Sequence, residues 1–305
     1  MRRRPVLLGL AGALLPAVPA RACSLAPRAR VPVEIAGGAL LVELRIIGHP
    51  AQMILDTGAQ RTLINTASLQ RLELDQDNRA AAAVRGIGGT ERNRVALPRS
   101  LSLGGIPLAR RTLEADTSLT VGTLARPSTG GQRVDGLLGR DLLAAFDLDL
   151  DLPARSLGLY AVTDCRAVAP PWTGAYATLP MQTPMDSAIQ LAVEIDGIRL
   201  RALLDSGATA SIITAPGIAR LAVSQALLEQ DRKIAISGLG PRLTDARLHR
   251  FRSLRLGDIT IDEPRILMAP IQTVPIVDLL LGADFLVTRR TWVSFATRQL
   301  HIARP

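Results

Sequence analysis

The chain has 305 residues, of which 48% are hydrophobic and only 3% aromatic, so two domains of ordinary size could bury cores of aliphatic side chains. The formal net charge is +9, but the arginines are scattered among acids and no aromatic residues are interleaved with them, which argues against nucleic-acid binding. Beyond the N-terminus, no apolar stretch is long enough to span a membrane.

Residues 1–22 are predicted to be a signal peptide. Arginines at positions 2–4 precede an apolar stretch from Val6 to Ala20, and Ala20-Arg21-Ala22 fits the small-x-small pattern before a cleavage point. The segment holds four arginines and no acids, so its removal would leave a net charge of +9 − 4 = +5. We therefore expect an exported protein, periplasmic or secreted.

Two cysteines, Cys23 and Cys165, follow the predicted cleavage point. A lipoprotein signal would also place a cysteine at position 23, but Arg21 beside the junction suits that signal poorly. In an oxidising compartment the two cysteines could form a disulfide. Two unpaired thiols are the alternative, and the sequence leaves that choice open.

The first half of the chain reads as short strands separated by turns, because apolar residues alternate and glycine or proline punctuates them. A loose lead-in is expected at 26–32, a helix at 67–74 and a polar loop at 117–133. The predicted strands and hairpins cover 39–46, 51–55, 84–97, 100–108 and 146–160, and 134–143 ends in a short helix.

A proline-rich linker is predicted at 161–184, and the second half then repeats the first. Asp56-Thr57-Gly58-Ala59 recurs as Asp205-Ser206-Gly207-Ala208, a separation of 205 − 56 = 149 residues. The helix recurs at 219–228, and the other landmarks recur in the same order. This period is too long for a solenoid repeat, so we predict a duplicated domain, with lobes at 31–160 and 185–303.

Two such halves could place Asp56 and Asp205 together at a pseudo-two-fold axis. Two carboxyls in contact do not both ionise easily, so the pair would share one proton and supply a general base and a general acid together. Gly58 and Gly207 would allow tight turns and offer N–H donors. The hydroxyls of Thr57 and Ser206 could form hydrogen bonds across the interface.

With these motifs the sequence resembles the retropepsin-like aspartic proteases. The resemblance rests on the doubled Asp-[Thr/Ser]-Gly-Ala motif, on glycine-tipped hairpins and on runs such as Leu138-Gly139-Arg140-Asp141, and it covers nearly all of 39–303. It implies an all-β acid-protease fold, with two homologous lobes that each carry a short helix. It also implies peptide hydrolysis by Asp56 and Asp205, supported by the flanking residues Thr57, Gly58, Ala59, Ser206, Gly207 and Ala208.

The resemblance further implies flaps that hold a peptide in extended form. The expected flap residues are Gly86, Ile87, Gly88 and Gly89 in the first half, and Gly238, Leu239 and Gly240 in the second. A single chain would form the whole site as a monomeric pseudo-dimer. The chain departs from the family at Gln60 and Thr209, where an acid is common, and at Ala283, where the second half lacks the arginine.

Other candidate functional sites have weaker support in the sequence. The three histidines lie far apart in the sequence, and none is at metal-ligand spacing from a cysteine or an acid; they are His49, His249 and His301. Neither a metal nor a cofactor is therefore expected. Asp147, Asp149 and Asp151 alternate with leucines, which favours the wet face of a strand over a calcium site. The remaining aspartates of the repeated motifs are expected to cap helices or close turns; they are Asp135, Asp141, Asp278 and Asp284.

Two alternatives to a single-chain endopeptidase stay open. The chain could be a peptide-binding module that kept this fold and lost turnover. Alternatively, each half could pair with its counterpart in another chain, so that the active species would be an intermolecular dimer.

Overall fold

The computed structural model describes residues 23–86, 89–108, 118–124, 128–182, 188–238 and 243–304. The predicted signal peptide at 1–22 lies outside these ranges, as do Ile87, Gly88, Leu239 and Gly240 of the predicted flaps. Within the described ranges, no helix combines the length and apolar character that crossing a membrane requires.

The first half is built from short strands, with one turn of 3-10 helix at Thr66–Ser68 and one short helix, α1 (Arg140–Leu143). Its strands are β1 (Ser24–Pro32), β2 (Glu34–Ala36), β3 (Ala39–Ile46), β4 (His49–Leu55), β5 (Leu63–Asn65), β6 (Gln76–Gly86), β7 (Gly89–Ala96), β8 (Leu101–Leu103), β9 (Ile106–Pro107), β10 (Leu119–Gly122), β11 (Ser128–Thr129), β12 (Gln132–Arg133), β13 (Gly136–Leu138), β14 (Asp147–Asp151) and β15 (Ser156–Thr163).

The second half has the same character. Its helices are α2 (Ala215–Leu221), α3 (Gln225–Gln230) and α4 (Ala283–Leu286). Its strands are β16 (Tyr176–Pro180), β17 (Gln190–Ile195), β18 (Ile198–Leu204), β19 (Ile212–Ile213), β20 (Arg232–Ser237), β21 (Leu243–Arg250), β22 (Ser253–Leu256), β23 (Ile259–Asp262), β24 (Arg265–Met268), β25 (Leu279–Leu281), β26 (Arg290–Ser294) and β27 (Gln299–Ala303).

The sheets of the two halves match strand for strand. The first has the order β6-β7-β10-β5-β13-β4-β3-β8-β9, with β2 added beside β3, and the second has the order β20-β21-β24-β19-β25-β18-β17-β22-β23. The strand that precedes each aspartate pairs in parallel with a later strand, β4 with β13 and β18 with β25. The predicted all-β fold with two homologous lobes and an internal duplication is confirmed.

A third sheet joins the halves, in the order β1-β15-β14-β26-β27-β16. Its centre is the antiparallel pair β14 and β26, one strand from each half, where Leu148 lies opposite Val293 and both are fully buried. The pseudo-two-fold axis therefore passes between these two strands. The hydrophobic core continues from one half into the other through this sheet.

The two outer strands of this sheet come from segments that the sequence predicts to be irregular. The expected loose lead-in at 26–32 forms β1, and β16 lies within 161–184. Both segments contain prolines, which local patterns associate with loops. Proline is nevertheless tolerated at a sheet edge because the outward side of an edge strand needs no N–H donors.

Two predicted helices differ from those observed. Of the helix expected at 67–74, only Ala67 and Ser68 are helical, in the 3-10 turn Thr66–Ser68. The chain continues in turns and reaches a left-handed conformation at Glu73, with φ of 52°. The helix expected at 219–228 is divided between α2 and α3. Ala222 has φ of 52° and ends the first of these, and the Ser224 side chain caps the second.

The polar loop predicted at 117–133 is wrong for residues 119–122. These form β10, whose four residues are all buried between β5 and β7. Local composition missed the strand because its partners are distant in the sequence and its neighbours along the chain are polar.

The prediction of a wet strand face at Asp147 and Asp149 is also wrong, although the strand itself is present as β14. Asp147 is 2% exposed and Asp149 is 1% exposed. Arg290 binds Asp149 through two hydrogen bonds, of 3.0 and 2.7 Å, and the Trp172 indole donates a third of 3.2 Å. These aspartates are buried because β14 is an inner strand of the joining sheet. Among the described residues, no three His, Cys, Asp or Glu side chains are grouped so that they could hold a metal ion.

Cys23 and Cys165 form a disulfide, the choice that the sequence leaves open. The bond joins the residue before β1 to the segment that follows β15, and these two strands already pair in the sheet. It therefore fastens an edge strand of the joining sheet at its N-terminal end.

Candidate active site

Each repeated aspartate lies at the end of a buried strand. Asp56 follows β4, and its backbone N–H donates a 3.0 Å hydrogen bond to the carbonyl of Leu138 on the parallel strand β13. Asp205 follows β18, and its N–H donates a 2.9 Å bond to the carbonyl of Leu281 on β25. Because equivalent bonds extend each parallel pair by one residue, both halves present their aspartate at the same place.

The structure brings the two aspartates together through their glycines. A Cβ atom added at Gly58 would lie 2.3 Å from the carboxyl carbon of Asp205. A Cβ added at Gly207 would likewise lie 2.3 Å from the carboxyl carbon of Asp56. Each carboxyl group therefore packs directly on the glycine of the opposite loop, where no other residue leaves enough space.

Backbone donors hold the two carboxyl groups in place. The N–H of Ala59 donates a 2.7 Å hydrogen bond to Oδ1 of Asp56. The N–H groups of Gly207 and Ala208 each donate a 3.1 Å bond to Oδ1 of Asp205. In each half one oxygen is bound by its own loop, so the pair can present its remaining oxygens to a ligand.

Thr57 and Ser206 interlock the two loops through reciprocal hydrogen bonds. The Thr57 hydroxyl donates to the carbonyl of Leu204 at 2.8 Å and accepts from the Ser206 N–H at 3.0 Å. The Ser206 hydroxyl donates to the carbonyl of Leu55 at 2.7 Å and accepts from the Thr57 N–H at 3.0 Å. Neither residue is exposed to solvent, so these four bonds fix the register of the halves.

Thr57→Val should destabilise the folded chain by about 2–4 kcal/mol, because valine keeps the shape but leaves two buried backbone groups without partners. The measurement is the free energy of unfolding in urea. Thr178→Val is the matched control: its hydroxyl contacts His301 at 2.9 Å, but the residue is exposed on the edge strand β16. Equal losses in the two variants would contradict a special role for the Thr57 bonds.

The two carboxyl groups are unlike ordinary surface aspartates. Burial, and after it the neighbouring charge of Asp205, raises the pKa of Asp56 from an ordinary 3.8 to about 8. Burial also raises the pKa of Asp205. Since both groups resist ionisation, the pair retains a proton at pH values where an isolated aspartate has lost it.

Arg140, the arginine of the second motif, lies beneath the Asp56 loop and is not among the site residues that the sequence predicts. It is 2% exposed, and Nη1 donates hydrogen bonds of 2.7 Å to the carbonyl of Thr57 and 2.6 Å to that of Gly58. Its charge lowers the pKa of both Asp56 and Asp205, against the stronger effect of burial. The only sequence signal for it was its place after Gly139 in the second motif.

The aspartates of the second motif brace the segment that leaves each loop. Asp141 accepts hydrogen bonds from the N–H and the hydroxyl of Thr62, at 2.8 and 2.7 Å. Asp284 accepts the equivalent pair from Ser211, at 2.9 and 2.7 Å. The expectation of helix capping is wrong here, because neither α1 nor α4 has a side-chain hydrogen bond at its N-cap.

Asp135 and Asp278, at the start of the same motif, bind distant strands instead of closing local turns, so the expectation of turn closure is wrong for them. Asp135 accepts from the Gln52 N–H at 2.9 Å, and Asp278 accepts from the Arg201 N–H at 2.8 Å. Each carboxylate is buried and also pairs with an arginine side chain. Both therefore act in the scaffold around the strands that deliver the aspartate pair.

The predicted flaps coincide with hairpins at one edge of each lobe. β6 and β7 form the first, and the last described pair before its tip joins Gly86 to Gly89. β20 and β21 form the second, and Gly238 follows the end of β20. The placement of Ile87, Gly88, Leu239 and Gly240 lies outside the described residues.

The histidines take no part in the aspartate site. His249 is paired with Asp231 at 2.6 Å, and His301 contacts the hydroxyl of Thr178. His49 lies 3.4 Å from Glu73 at the surface. None of these three contacts involves a residue of the two aspartate loops.

Comparison with known families gives one match that covers both halves. A sequence model described as aspartyl protease matches residues 42–142 and again residues 191–285. The two matched segments each contain one repeated aspartate, one hairpin of the flap type and one copy of the second motif. No curated protein sequence matches the chain.

Proposed function

The chain belongs to the retropepsin-like aspartyl protease family, and on that premise we propose that it is an aspartic endopeptidase with one active site formed by both halves. The observation that carries the proposal is the mutual packing of each aspartate on the glycine of the opposite loop. Neither loop alone could create a carboxyl pair, so the duplication is what makes the chemistry possible.

The proposed mechanism uses the shared proton of Asp56 and Asp205. The ionised carboxylate takes a proton from a water molecule, which attacks the carbonyl carbon of the peptide bond. The protonated partner donates a hydrogen bond to the carbonyl oxygen, whose negative charge grows as the tetrahedral intermediate forms. The carboxyl that took the proton from water then transfers it to the leaving nitrogen, the bond between carbon and nitrogen breaks, and the pair is left with one shared proton.

The surface next to the aspartates indicates what flanks the cleaved bond. Ile54 lies two residues before Asp56 and Leu203 lies two before Asp205, so each shares a sheet face with its aspartate. Ile54 is partly exposed and packs with apolar residues of β5 and β13, whereas Leu203 is buried in the equivalent cluster of the second lobe. We infer that Ile54 favours an apolar substrate side chain next to the cleaved bond.

Peptides with leucine, phenylalanine or methionine next to the bond should therefore be cleaved with kcat/KM about 10-fold to 100-fold above peptides with charged residues there. A peptide library incubated with the protein across acidic and neutral pH, with products sequenced by mass spectrometry, measures this preference. A statine-containing inhibitor, which resembles the tetrahedral intermediate, should stop the cleavage.

The same assay distinguishes the non-catalytic alternative. A peptide-binding module would retain library peptides, or the statine inhibitor, without producing cleaved products. Intact carboxyls in both halves favour turnover, since binding of an extended peptide through backbone hydrogen bonds does not require either of them.

We further propose that the active species is a monomer, because both aspartates of the pair come from one chain. The molecular mass of the active fraction in solution tests this, and a dimeric mass with no activity in the monomer fraction would contradict it. Export to a periplasm or the cell exterior is also part of the proposal, supported by the disulfide.

A further inference from the structure

Arg140 is a charged side chain in an unusual place. Its guanidinium is buried, and it donates two short hydrogen bonds to consecutive carbonyls of the Asp56 loop, those of Thr57 and Gly58. Burying a guanidinium costs free energy unless its hydrogen-bonding groups are well satisfied. A residue retained at this cost beside a carboxyl pair raises the question of what it supplies.

The second half shows that the turn itself does not need an arginine. The backbone N–H of Arg140 donates a 2.9 Å bond to the carbonyl of Ala59, and that of Ala283 donates a 2.7 Å bond to the carbonyl of Ala208. α4 follows in the second half just as α1 does in the first. The Arg140 side chain therefore adds something beyond the local backbone structure that Ala283 also forms.

Gly58 connects the arginine to both carboxyl groups. Its carbonyl accepts from Arg140, its loop carries Asp56, and its α-carbon is the surface on which the Asp205 carboxyl packs. A shift of this one peptide would move Asp56 directly and would alter the contact under Asp205. The cation also lies close enough to act on both carboxyls through its charge.

We propose that Arg140 is a positioning residue for the aspartate pair, which holds the Thr57 and Gly58 carbonyls and places one positive charge beneath both carboxyls. The inference rests on the proposed protease function only for its effect on turnover. Its effect on the ionisation of the pair is independent of any substrate. The pKa-lowering influence of Arg140 on both aspartates agrees with this arrangement.

The test compares Arg140→Met, Arg140→Lys and Arg290→Met with the unaltered protein. Methionine removes the charge and the bonds, whereas lysine keeps the charge and loses the forked geometry. Arg290 is the control, because it too is an arginine with two hydrogen bonds to one partner segment, but it is only partly buried and its bonds go to Asp149 in the joining sheet. NMR titration of 13C-labelled aspartate carboxyls reports the ionisation of the pair, and peptide hydrolysis reports turnover.

In Arg140→Met, the ionisation of the pair should move to higher pH by about one unit or more, and kcat should fall about 100-fold with little change in KM. Arg140→Lys should titrate near the unaltered protein and recover part of the lost kcat. Arg290→Met should be less stable yet keep both the titration and kcat.

A titration of the pair that is the same in Arg140→Met as in the unaltered protein would overturn the inference, even if activity fell. If Arg140→Met does not fold, Arg140→Lys decides: a kcat and titration equal to those of the unaltered protein would show that the forked geometry has no positioning role. If the unaltered protein cleaves no peptide, the proposed function fails, while the NMR titration still tests the effect of Arg140.

Discussion

Asp56→Asn should lower kcat for peptide hydrolysis about 1,000-fold or more, and Asp205→Asn should do the same, because an amide can neither accept the proton of water nor share one. Neither substitution should unfold the chain. The side-chain shape is unchanged, and the oxygen of asparagine can still accept the N–H bond that Ala59 donates to Asp56. Hydrolysis at the unaltered rate in either variant would contradict the proposed mechanism.

Asp56→Asn should also make the folded chain more stable at alkaline pH. The pKa of Asp56 is raised from an ordinary 3.8 to about 8, so the folded state favours its protonated form. Stability is therefore fully present below the ordinary pKa and is lost as the pH rises toward 8. Asparagine stays neutral at every pH, and we expect it to recover about 1–2 kcal/mol at pH 8.

Thermal unfolding at pH 5 and pH 8 measures this effect. The gain in melting temperature from Asp56→Asn should be larger at pH 8 than at pH 5, by roughly 2–6 °C for a chain of this size. Asp141→Asn is the matched control, because its carboxylate accepts two hydrogen bonds from Thr62 and supports the fold. It should lower the melting temperature. A similar loss in Asp56→Asn would show that ionisation of Asp56 does not destabilise the folded chain at pH 8.

The sequence predicts the two paired loops better than it predicts the sheets. The doubled Asp-[Thr/Ser]-Gly-Ala motif identifies the aspartates, and the structure brings both loops together. The reason is that the motif is local: the residues that turn the chain and bind each carboxyl are neighbours of the aspartate. A short repeated pattern therefore contains most of the information about the geometry of each loop.

The joining sheet depends on information that is not local. β1 and β16 contain prolines and look irregular, yet each becomes a strand because β15 and β27 offer a free edge. Asp149 looks like a surface residue until Arg290, 141 residues away, is placed against it. Pairings at such separations are determined by tertiary packing, which overrides local propensity.

Arg140 belongs to the same class. Its sequence position shows that it starts a short helix after the second motif, but the carbonyls that it binds come from a loop about 80 residues earlier in the chain, a separation of 82 for Gly58. Gly58 itself illustrates the limit most sharply. The sequence predicts a glycine that allows a tight turn, whereas the structure adds a second reason, the carboxyl of the opposite lobe.

The contact between Gly58 and the Asp205 carboxyl predicts a second large loss of activity. Gly58→Ala should lower kcat about 100-fold to 1,000-fold although every chemical group of the pair remains, because displacing a catalytic group by about 1 Å is enough for such a loss. The added Cβ would lie 2.3 Å from the Asp205 carboxyl carbon, which is far inside contact distance, so one of the two loops must move. Gly207→Ala should act in the same way on Asp56.

The control is Gly105→Ala, since Gly105 has φ of +80° and no atom within 4 Å of its added Cβ. That variant should lose about 1 kcal/mol of stability from backbone strain and keep its activity. Activity retained in Gly58→Ala would mean that the two carboxyls do not need the contact across the lobes, and a titration of the pair unchanged from that of the unaltered protein would confirm it.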